Sequence, residues 1–269
     1  MSADGVASLS LQRFGQGPRQ VLGLHCTLAH SGAWRGLADA LEGDVTLIAP
    51  DMLSHGKSPD WDGAGDFSER MVAALLPLID EPVDVVGHSM GAVIALHLAA
   101  WHPERVRSLT LVEPVLFGVV AHDAPDLLAA QKEQNAPFEA AMTAGDHDTA
   151  ARLFSGGWGD GSRGWAEMPQ ALRAAMARGV RIVSACAPTV SADRFGLFAT
   201  GGLDRVTMPV CLMHGEQTQP IVAAANRGVA RRLPQAHICE VAGAGHMLPI
   251  THPEAAAERL RLLFRDLPG

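Results

Sequence analysis

The chain has no tyrosine among its 269 residues, and no stretch of it is rich in basic side chains. The first absence excludes a tyrosine acid, base or oxyanion donor. The second comes with 21 basic against 29 acidic residues and a net charge of -8, which argues against a nucleic-acid partner or an anionic membrane. A small neutral or amphipathic substrate is easier to accommodate.

Cysteine is scarce and long apolar runs are missing. Cys26, Cys186, Cys211 and Cys239 are scattered, with no CxxC pair and no metal-ligand spacing. We therefore expect reduced core cysteines, no metal and no cofactor. No apolar run approaches the ~20 residues of a membrane span, and Met1–Leu11 lacks the basic and apolar regions of a signal peptide. These absences predict a soluble, cytoplasmic protein.

Short apolar runs alternate with helical patterns along most of the chain. Such runs, each ending in turn or polar residues, are typical of buried parallel strands. They lie at Val21–His25, Val45–Ala49, Val83–Val86, Val106–Glu113, Val210–His214 and His237–Val241. The alternation predicts an α/β fold with a mostly parallel, doubly wound sheet and helices on both faces.

The pattern changes between Gly118 and about Leu203. This stretch contains alanine-rich helical segments, among them 147–154 and 169–183, a glycine-tryptophan loop at 156–165, and no convincing strand. We predict a core formed by residues 1–117 and 204–269. A helical cap, residues 118–203, would be inserted after the strand that ends at Glu113.

One apolar run breaks at a glycine, presents a serine and resumes as a helix of small residues. It contains Gly87-His88-Ser89-Met90-Gly91, a Gly-x-Ser-x-Gly spacing. A serine on a tight strand-to-helix turn needs neighbours without bulk, because a Cβ at either glycine would collide with the adjoining strand or helix. Ser89 is therefore the candidate nucleophile.

Five motifs together resemble the α/β-hydrolase fold superfamily, in its capped, esterase-like form. They are His25-Cys26-Thr27, Asp51-Met52-Leu53-Ser54-His55-Gly56-Lys57-Ser58, Gly87-His88-Ser89-Met90-Gly91, His102-Pro103-Glu104-Arg105-Val106 and Gly245-His246. The resemblance covers roughly residues 20–116 and 206–264. It implies a serine hydrolase with a catalytic triad, a nucleophile elbow and an oxyanion hole.

Serine needs an imidazole to take its proton and a third group to orient that imidazole. His246 is the candidate base, because it lies in a loop after the last predicted strand, at the sheet edge where open α/β folds bind ligands.

The acid is less obvious. The resemblance implies an aspartate three residues after Gly215, where this chain has Thr218. Glu113 ends the strand beside the nucleophile strand, and some members of the superfamily, such as haloalkane dehalogenases, take their acid there. Glu216 lies on the same loop as Thr218. We expect Glu113 to be the acid, with Glu216 as the second choice.

The oxyanion hole should come from the backbone N–H groups of Met90 and Thr27. Cys26, where the family usually has glycine, is interpreted as a small packed residue. Asp51 and His55 are expected to be hydrogen-bonding scaffold.

These residues predict an esterase-like hydrolase that cleaves a small carboxylic ester or lactone through an acyl-enzyme on Ser89. A C–C bond hydrolase, an acyltransferase or a perhydrolase could use the same triad, and a non-catalytic ligand-binding protein of this fold stays open. The expected partner is a small ester-like molecule, and a homodimer is left open.

Overall fold

A computed structural model describes residues 7–161, 164–265 and 267, and strands and helices alternate along most of them. The strands are β1 (Leu11–Phe14), β2 (Arg19–Leu24), β3 (Val45–Pro50), β4 (Val83–His88), β5 (Val106–Val112), β6 (Val210–Gly215) and β7 (Ala236–Val241). They form one sheet in the order β1-β3-β2-β4-β5-β6-β7.

The sheet is parallel except at one edge, where β1 pairs antiparallel with β3. The chain runs from β2 to β3 on one side, then crosses to β4 on the other side of β2. Ligands of open α/β sheets bind at such a reversal, outside the carboxyl ends of the strands. Thr27 follows β2 and Ser89 follows β4, so the topology brings both residues to this crevice.

Helices cover both faces of the sheet. The α-helices of the described residues are α1 (Arg35–Ala40), α2 (Phe67–Leu75), α3 (Met90–Trp101), α4 (Phe117–Asp123), α5 (Pro125–Gln134), α6 (Ala136–Thr143), α7 (His147–Trp158), α8 (Gln170–Gly179), α9 (Arg181–Ala185), α10 (Ala187–Ser191), α11 (Pro220–Arg232), α12 (Leu248–Thr251) and α13 (Pro253–Arg265). One apolar cluster joins the sheet to α2, α3 and α11, and a second joins it to α1 and α13. The α/β fold expected from the sequence is confirmed.

Between β5 and β6 the described residues form helices α4 to α10 and no strand. Part of this segment has its own apolar cluster, which includes Phe138, Met176 and Val180. The division into a core and a cap stays a prediction. Of the residues it assigns, 1–6, 162–163, 266 and 268–269 lie outside the described part of the chain.

Two predicted boundaries in this segment are wrong. Helix α7 continues through Trp158 instead of ending at Phe154, although glycine disfavours helix by about 1 kcal/mol per residue. The predicted helix 169–183 is divided at Val180 into α8 and α9. Packing of Trp158 against Phe117 and of Val180 within the local cluster outweighs the propensities.

Two further observations concern the described residues only. Their helices include none with the length and apolar character to cross a bilayer. They also contain no group of three or more His, Cys, Asp or Glu side chains arranged to hold a metal ion.

Candidate active site

The Gly-x-Ser-x-Gly segment forms the expected turn between β4 and α3. Ser89 has φ 55° and ψ -114°, a strained conformation for a residue with a side chain. A Cβ on Gly87 would lie 2.4 Å from the carbonyl oxygen of Gly91, and a Cβ on Gly91 would lie 2.0 Å from that of Leu24. Neither position has room for a side chain, so the turn depends on both glycines.

A hydrogen-bonded relay runs from this serine. The Ser89 hydroxyl lies 3.0 Å from Nε2 of His246, and Nδ1 of the same ring lies 3.1 Å from Oε2 of Glu113. The side chains of His246 and Glu113 are 8% and 0% exposed. Water is therefore largely kept from the second contact, where the charge of the carboxylate acts most strongly.

Glu113 is held from several directions. Its φ of 50° turns the chain at the end of β5. Its Oε1 accepts the Gly215 N–H at 2.7 Å, and its Oε2 accepts the Thr218 hydroxyl at 2.5 Å. Burial by itself would raise the pKa of Glu113, but the bonds from His246, Thr218 and Gly215 hold this pKa below its usual value. The carboxylate stays ionised at neutral pH.

The second-choice acid is placed differently. Glu216 is exposed, and its Oε2 accepts the backbone N–H of Gly243 at 2.9 Å. Among the described residues, the only carboxylate within ion-pair distance of the His246 ring is Glu113. Glu216 therefore stabilises the turn that precedes His246 and makes no contact in the relay.

The expected oxyanion donors lie beside the nucleophile. Thr27, Ser89 and Met90 line one cavity. Nδ1 of His25 donates to the carbonyl of Cys26 at 2.8 Å. The peptide bond between Cys26 and Thr27 is trans, so its C=O and N–H point in opposite directions. The bond to the Cys26 carbonyl therefore also fixes the direction of the Thr27 N–H. The N–H of Met90 belongs to the first turn of α3, where such groups have no partner within the helix.

Buried histidines hold the backbone around these groups. Nε2 of His25 accepts the N–H of Met52 at 2.9 Å, and Nε2 of His55 accepts the N–H of Leu28 at 3.1 Å. His88 donates to the carbonyl of His246 at 2.7 Å. Burial lowers the pKa of His25 and of His88 to about 3, and that of His55 to about 4. All three rings are neutral at physiological pH.

The loop after β3 is scaffold, as expected. Asp51 accepts the N–H groups of Ser31 at 2.7 Å and Lys57 at 2.9 Å. Cys26 is buried, and burial raises the pKa of its thiol to about 12. A thiol with such a pKa is inert, so Cys26 acts as a packed side chain.

A cavity of about 430 Å³ opens beside Ser89 and extends under the helices that follow β5. Its walls are largely apolar, and they include Phe117, Leu128, Phe138, Phe154, Trp158 and Val183. Trp158 packs on His246 with 4.7 Å between ring centroids. A second cavity of about 360 Å³ adjoins His246 and shares the wall formed by Gly157, Trp158 and Gln219.

Sequence reasoning missed two of these partners. Thr218 enters the sequence analysis only as the residue at the position of the expected aspartate, yet its hydroxyl holds the carboxylate. Trp158 was placed in a loop, yet it covers the imidazole. A hydrogen-bonding side chain at the position where an acid was expected was the available signal for Thr218. No signal in the sequence indicated that Trp158 lies over His246.

Sheet order and site geometry together define the α/β-hydrolase fold. A sequence profile described as the alpha/beta hydrolase family matches residues 21–259. The chain belongs to this family, which confirms the resemblance stated above.

Two curated relatives and one solved structure are similar to it. Lipase LipV of Mycobacterium tuberculosis is 36% identical over 162 residues, and the match spans 58% of each chain. Pimeloyl-[acyl-carrier protein] methyl ester esterase of Nitrosomonas europaea is 28% identical over 93% of this chain and 96% of that protein. A hydrolase from Pseudomonas aeruginosa superposes with a TM-score of 0.75 at 18% identity, covering 98% of this chain and 96% of that one. The lipase and the esterase support the expected class, a hydrolase acting on ester bonds.

Proposed function

We propose that the protein is a serine hydrolase that cleaves a small carboxylic ester or lactone through an acyl-enzyme on Ser89. The relay of hydrogen bonds from Ser89 through His246 to Glu113 is the observation that carries this proposal. The identity of the named relatives as an esterase and a lipase supports it.

In the first step the Ser89 Oγ attacks the ester carbonyl carbon while its proton passes to Nε2 of His246. The carbonyl oxygen becomes an oxyanion that accepts the N–H groups of Met90 and Thr27. The imidazolium then gives the proton to the leaving alkoxy oxygen as the C–O bond breaks. Glu113 accepts the Nδ1–H throughout, which orients the ring and stabilises its positive charge.

In the second step a water molecule attacks the acyl carbon and gives a proton to His246. The tetrahedral intermediate collapses, the bond to Ser89 breaks, and the proton returns to the serine oxygen. The products are the acid and free enzyme. No cofactor is needed for either step.

The shape of the cavity supports the substrate class. A volume of about 430 Å³ with largely apolar walls suits an acyl chain of modest length. Methyl esters are compatible with it, and a methyl ester, that of pimeloyl-[acyl-carrier protein], is the substrate named for the Nitrosomonas europaea esterase. The helices from α4 to α10 would act as the cap over this cavity.

The test combines labelling and turnover. An active-site-directed fluorophosphonate should label the wild type and fail with Ser89→Ala, and p-nitrophenyl esters should be hydrolysed only by the wild type. A stably folded wild type that is not labelled at Ser89 would overturn the proposal and favour a non-catalytic binding protein. Labelling with turnover of β-diketones, but not of esters or lactones, would favour C–C bond hydrolysis. Turnover only with an added alcohol or with peroxide would favour acyl transfer or perhydrolysis.

A pair of carboxylate variants tests the acid. Glu113→Gln should lower kcat by about 10⁴, the loss seen when the equivalent carboxylate of a serine protease is replaced by its amide. Glu216→Gln is the matched control, because it makes the same change on an exposed side chain two residues before Thr218. The reverse ranking would reject Glu113. The cytoplasmic location stays a prediction, and the homodimer stays open.

A further inference from the structure

We propose that Cys239 and Cys211 form a peroxide-sensitive pair of thiols, in which Cys239 is oxidised first and Cys211 then closes a disulfide with it. The inference goes beyond the proposed function, because it assigns a modification site that takes no part in ester cleavage. The observations that carry it lie on strands β6 and β7 and on helix α13.

Two cysteine side chains meet between the last two strands of the sheet. The Sγ atoms of Cys211, on β6, and Cys239, on β7, lie 3.6 Å apart, and the Cys211 S–H donates to Cys239. Cys211 belongs to the apolar cluster that joins the sheet to α1 and α13, and Cys239 packs against this cluster. Cys26 and Cys186 are buried in other parts of the chain. The two thiols on β6 and β7 are therefore already in contact while both are free.

The two thiols differ in their access to solvent. Among the described residues, β7 is an edge strand that pairs with β6 alone, and Cys239 on it is half-buried. Cys211 is 5% exposed and lies one strand further into the sheet. A small oxidant from solvent therefore reaches Cys239 before it reaches Cys211.

The surroundings of Cys239 favour its ionised form. The Cys211 S–H bond and the positive charge of Arg259, on α13, lower the pKa of Cys239 in spite of its partial burial. The same contact, together with burial, raises the pKa of Cys211, which keeps its proton. Because the thiolate is the form that reacts with peroxide, the more exposed thiol of the pair is also the more reactive one.

The oxidation takes two steps, with hydrogen peroxide as the oxidant. The Cys239 thiolate attacks one peroxide oxygen, the O–O bond breaks, and a sulfenic acid and hydroxide form. The Cys211 sulfur then attacks the sulfenic sulfur, so that the S–S bond forms and the S–O bond breaks. The Cys211 proton leaves with the hydroxyl group as water. Two electrons pass in all from the pair of sulfurs to peroxide.

The register of the strands makes this bond reversible. Cys211 pairs with His237, and Cys239 pairs with Met213, so the two thiols reach each other diagonally. From the spacing and rise of strands, their Cα atoms are about 8 Å apart, whereas ~4.4–6.8 Å is usual across a disulfide. Closing the bond therefore requires β7, which is paired on one side only, to move toward Cys211 by about 1 Å. A bond formed in this way is readily reduced again.

Thiol counting and peptide mapping test the pair. The reduced wild type has four thiols, and a short treatment with hydrogen peroxide should leave two. After the remaining thiols are blocked with iodoacetamide, trypsin should release fragments 206–227 and 233–259, with one cysteine each, joined to one another. Dithiothreitol should separate them. Non-reducing electrophoresis should show a monomer, because the bond lies within one chain.

Three variants separate the roles of the two thiols. Cys239→Ser should keep its three thiols under the same treatment, because the thiol that reacts first is gone. Cys211→Ser should stop at the sulfenic acid of Cys239, which dimedone traps. Cys186→Ala is the matched control, because it removes a buried thiol from another part of the chain and should still form the bridge. Circular dichroism and thermal melting check that each variant is folded.

Each result counts for or against the pair. Joined fragments in the wild type and in Cys186→Ala, with none in either serine variant, support the proposal. A wild type that accumulates dimedone-labelled Cys239 without joined fragments would reject the role of Cys211 and overturn it. Four thiols left after treatment, or a bridge between two chains, would overturn it as well. None of these results depends on ester turnover, so a failure of the proposed function is measured separately.

Discussion

Mild acid should destabilise this protein through three neutral histidines around the candidate active site. The unfolded-state pKa of each is 6.5, whereas the folded-state pKa is about 3 for His25 and His88 and about 4 for His55. Between pH 6.5 and pH 5 the folded rings stay neutral while the unfolded chain binds protons at all three. Their contribution to stability is therefore complete above pH 6.5 and is lost as the pH falls.

The structure sets the size of the effect. At pH 5 the unfolded chain gains about 2 kcal/mol per histidine relative to the folded chain, or about 6 kcal/mol for the three together. Single domains are stable by only ~5–15 kcal/mol. The buried carboxylates contribute little to the change between pH 6.5 and pH 5. The lowered pKa values of Asp51 and Glu113 stabilise the folded state, and this stability is lost only as the pH falls toward and below the ordinary values of 3.8 and 4.5.

The loss should reach the candidate active site directly. His25 and His55 each use one nitrogen as an acceptor for a backbone N–H and the other as a donor, which only the neutral ring can do. Protonation would break the bonds to Met52 and Leu28, next to the expected oxyanion donor Thr27. Activity should therefore fall together with stability.

The assay is urea unfolding at pH 7.5, 6.5, 5.5 and 5.0 at constant ionic strength, followed by tryptophan fluorescence. His88→Gln keeps a donor for the His246 carbonyl and cannot titrate. Below pH 6.5, its free energy of unfolding should therefore fall with pH less steeply than that of the wild type, by about 1.4 kcal/mol per pH unit. Val93→Ala is the control, because the truncation of a buried apolar side chain lowers stability equally at every pH. A wild-type free energy of unfolding that is flat from pH 6.5 to 5 would refute the reasoning.

Further substitutions test the elbow, the cavity wall and the junction between α8 and the loop after β3. Gly91→Ala should prevent stable folding, because its Cβ would lie 2.0 Å from the Leu24 carbonyl oxygen. Gly156→Ala is the control, because a Cβ there would meet nothing within 4 Å, and it should raise the stability by up to about 1 kcal/mol. Solubility and thermal melting measure both effects. Trp158→Ala joins the two cavities beside His246, so kcat/KM should rise for esters of bulky alcohols relative to methyl esters, and an unchanged preference contradicts this role. Arg178 donates to Asp60 at 2.7 Å and to the carbonyls of residues 56 and 58. Arg178→Met should lower the stability by about 1 kcal/mol or more and increase proteolysis within residues 170–191. Equal proteolysis rates in the variant and the wild type would argue against this junction.

The sequence predicted the parts of the molecule that depend on local pattern. Apolar runs located β2 to β7, and the glycines around Ser89 identified the turn, because a strand, a tight turn and a helix all lie within one stretch of about twenty residues. Glu113 stood out for a similar reason: a charge at the end of an apolar strand has no packing role. His246 followed from its place after the last strand.

The parts that were missed depend on contacts between distant segments. Helix α7 runs through Gly156 and Gly157 because Trp158, at its end, packs on Phe117 and His246. Propensity at the two glycines predicted a loop, and only tertiary packing reverses it. The hydroxyl of Thr218 was missed likewise, since its partner is 105 residues away in the chain.

The strained backbone of the site is explained by the register of the sheet. Ser89 and Glu113 both have positive φ, a conformation that costs about 1–3 kcal/mol for such residues. Each N–H donates to the end of the next strand: Ser89 to Val112 at 2.9 Å and Glu113 to Met213 at 2.8 Å. In both cases the acceptor pairs with the residue just before the donor. The ladder therefore extends one step past each strand and holds the turn that projects the Ser89 hydroxyl or the Glu113 carboxylate toward His246. This arrangement needs β4, β5 and β6 in one register. The glycines around Ser89 indicated its tight turn from the sequence, whereas the positive φ of Glu113 depends on pairing between distant strands and could not be predicted.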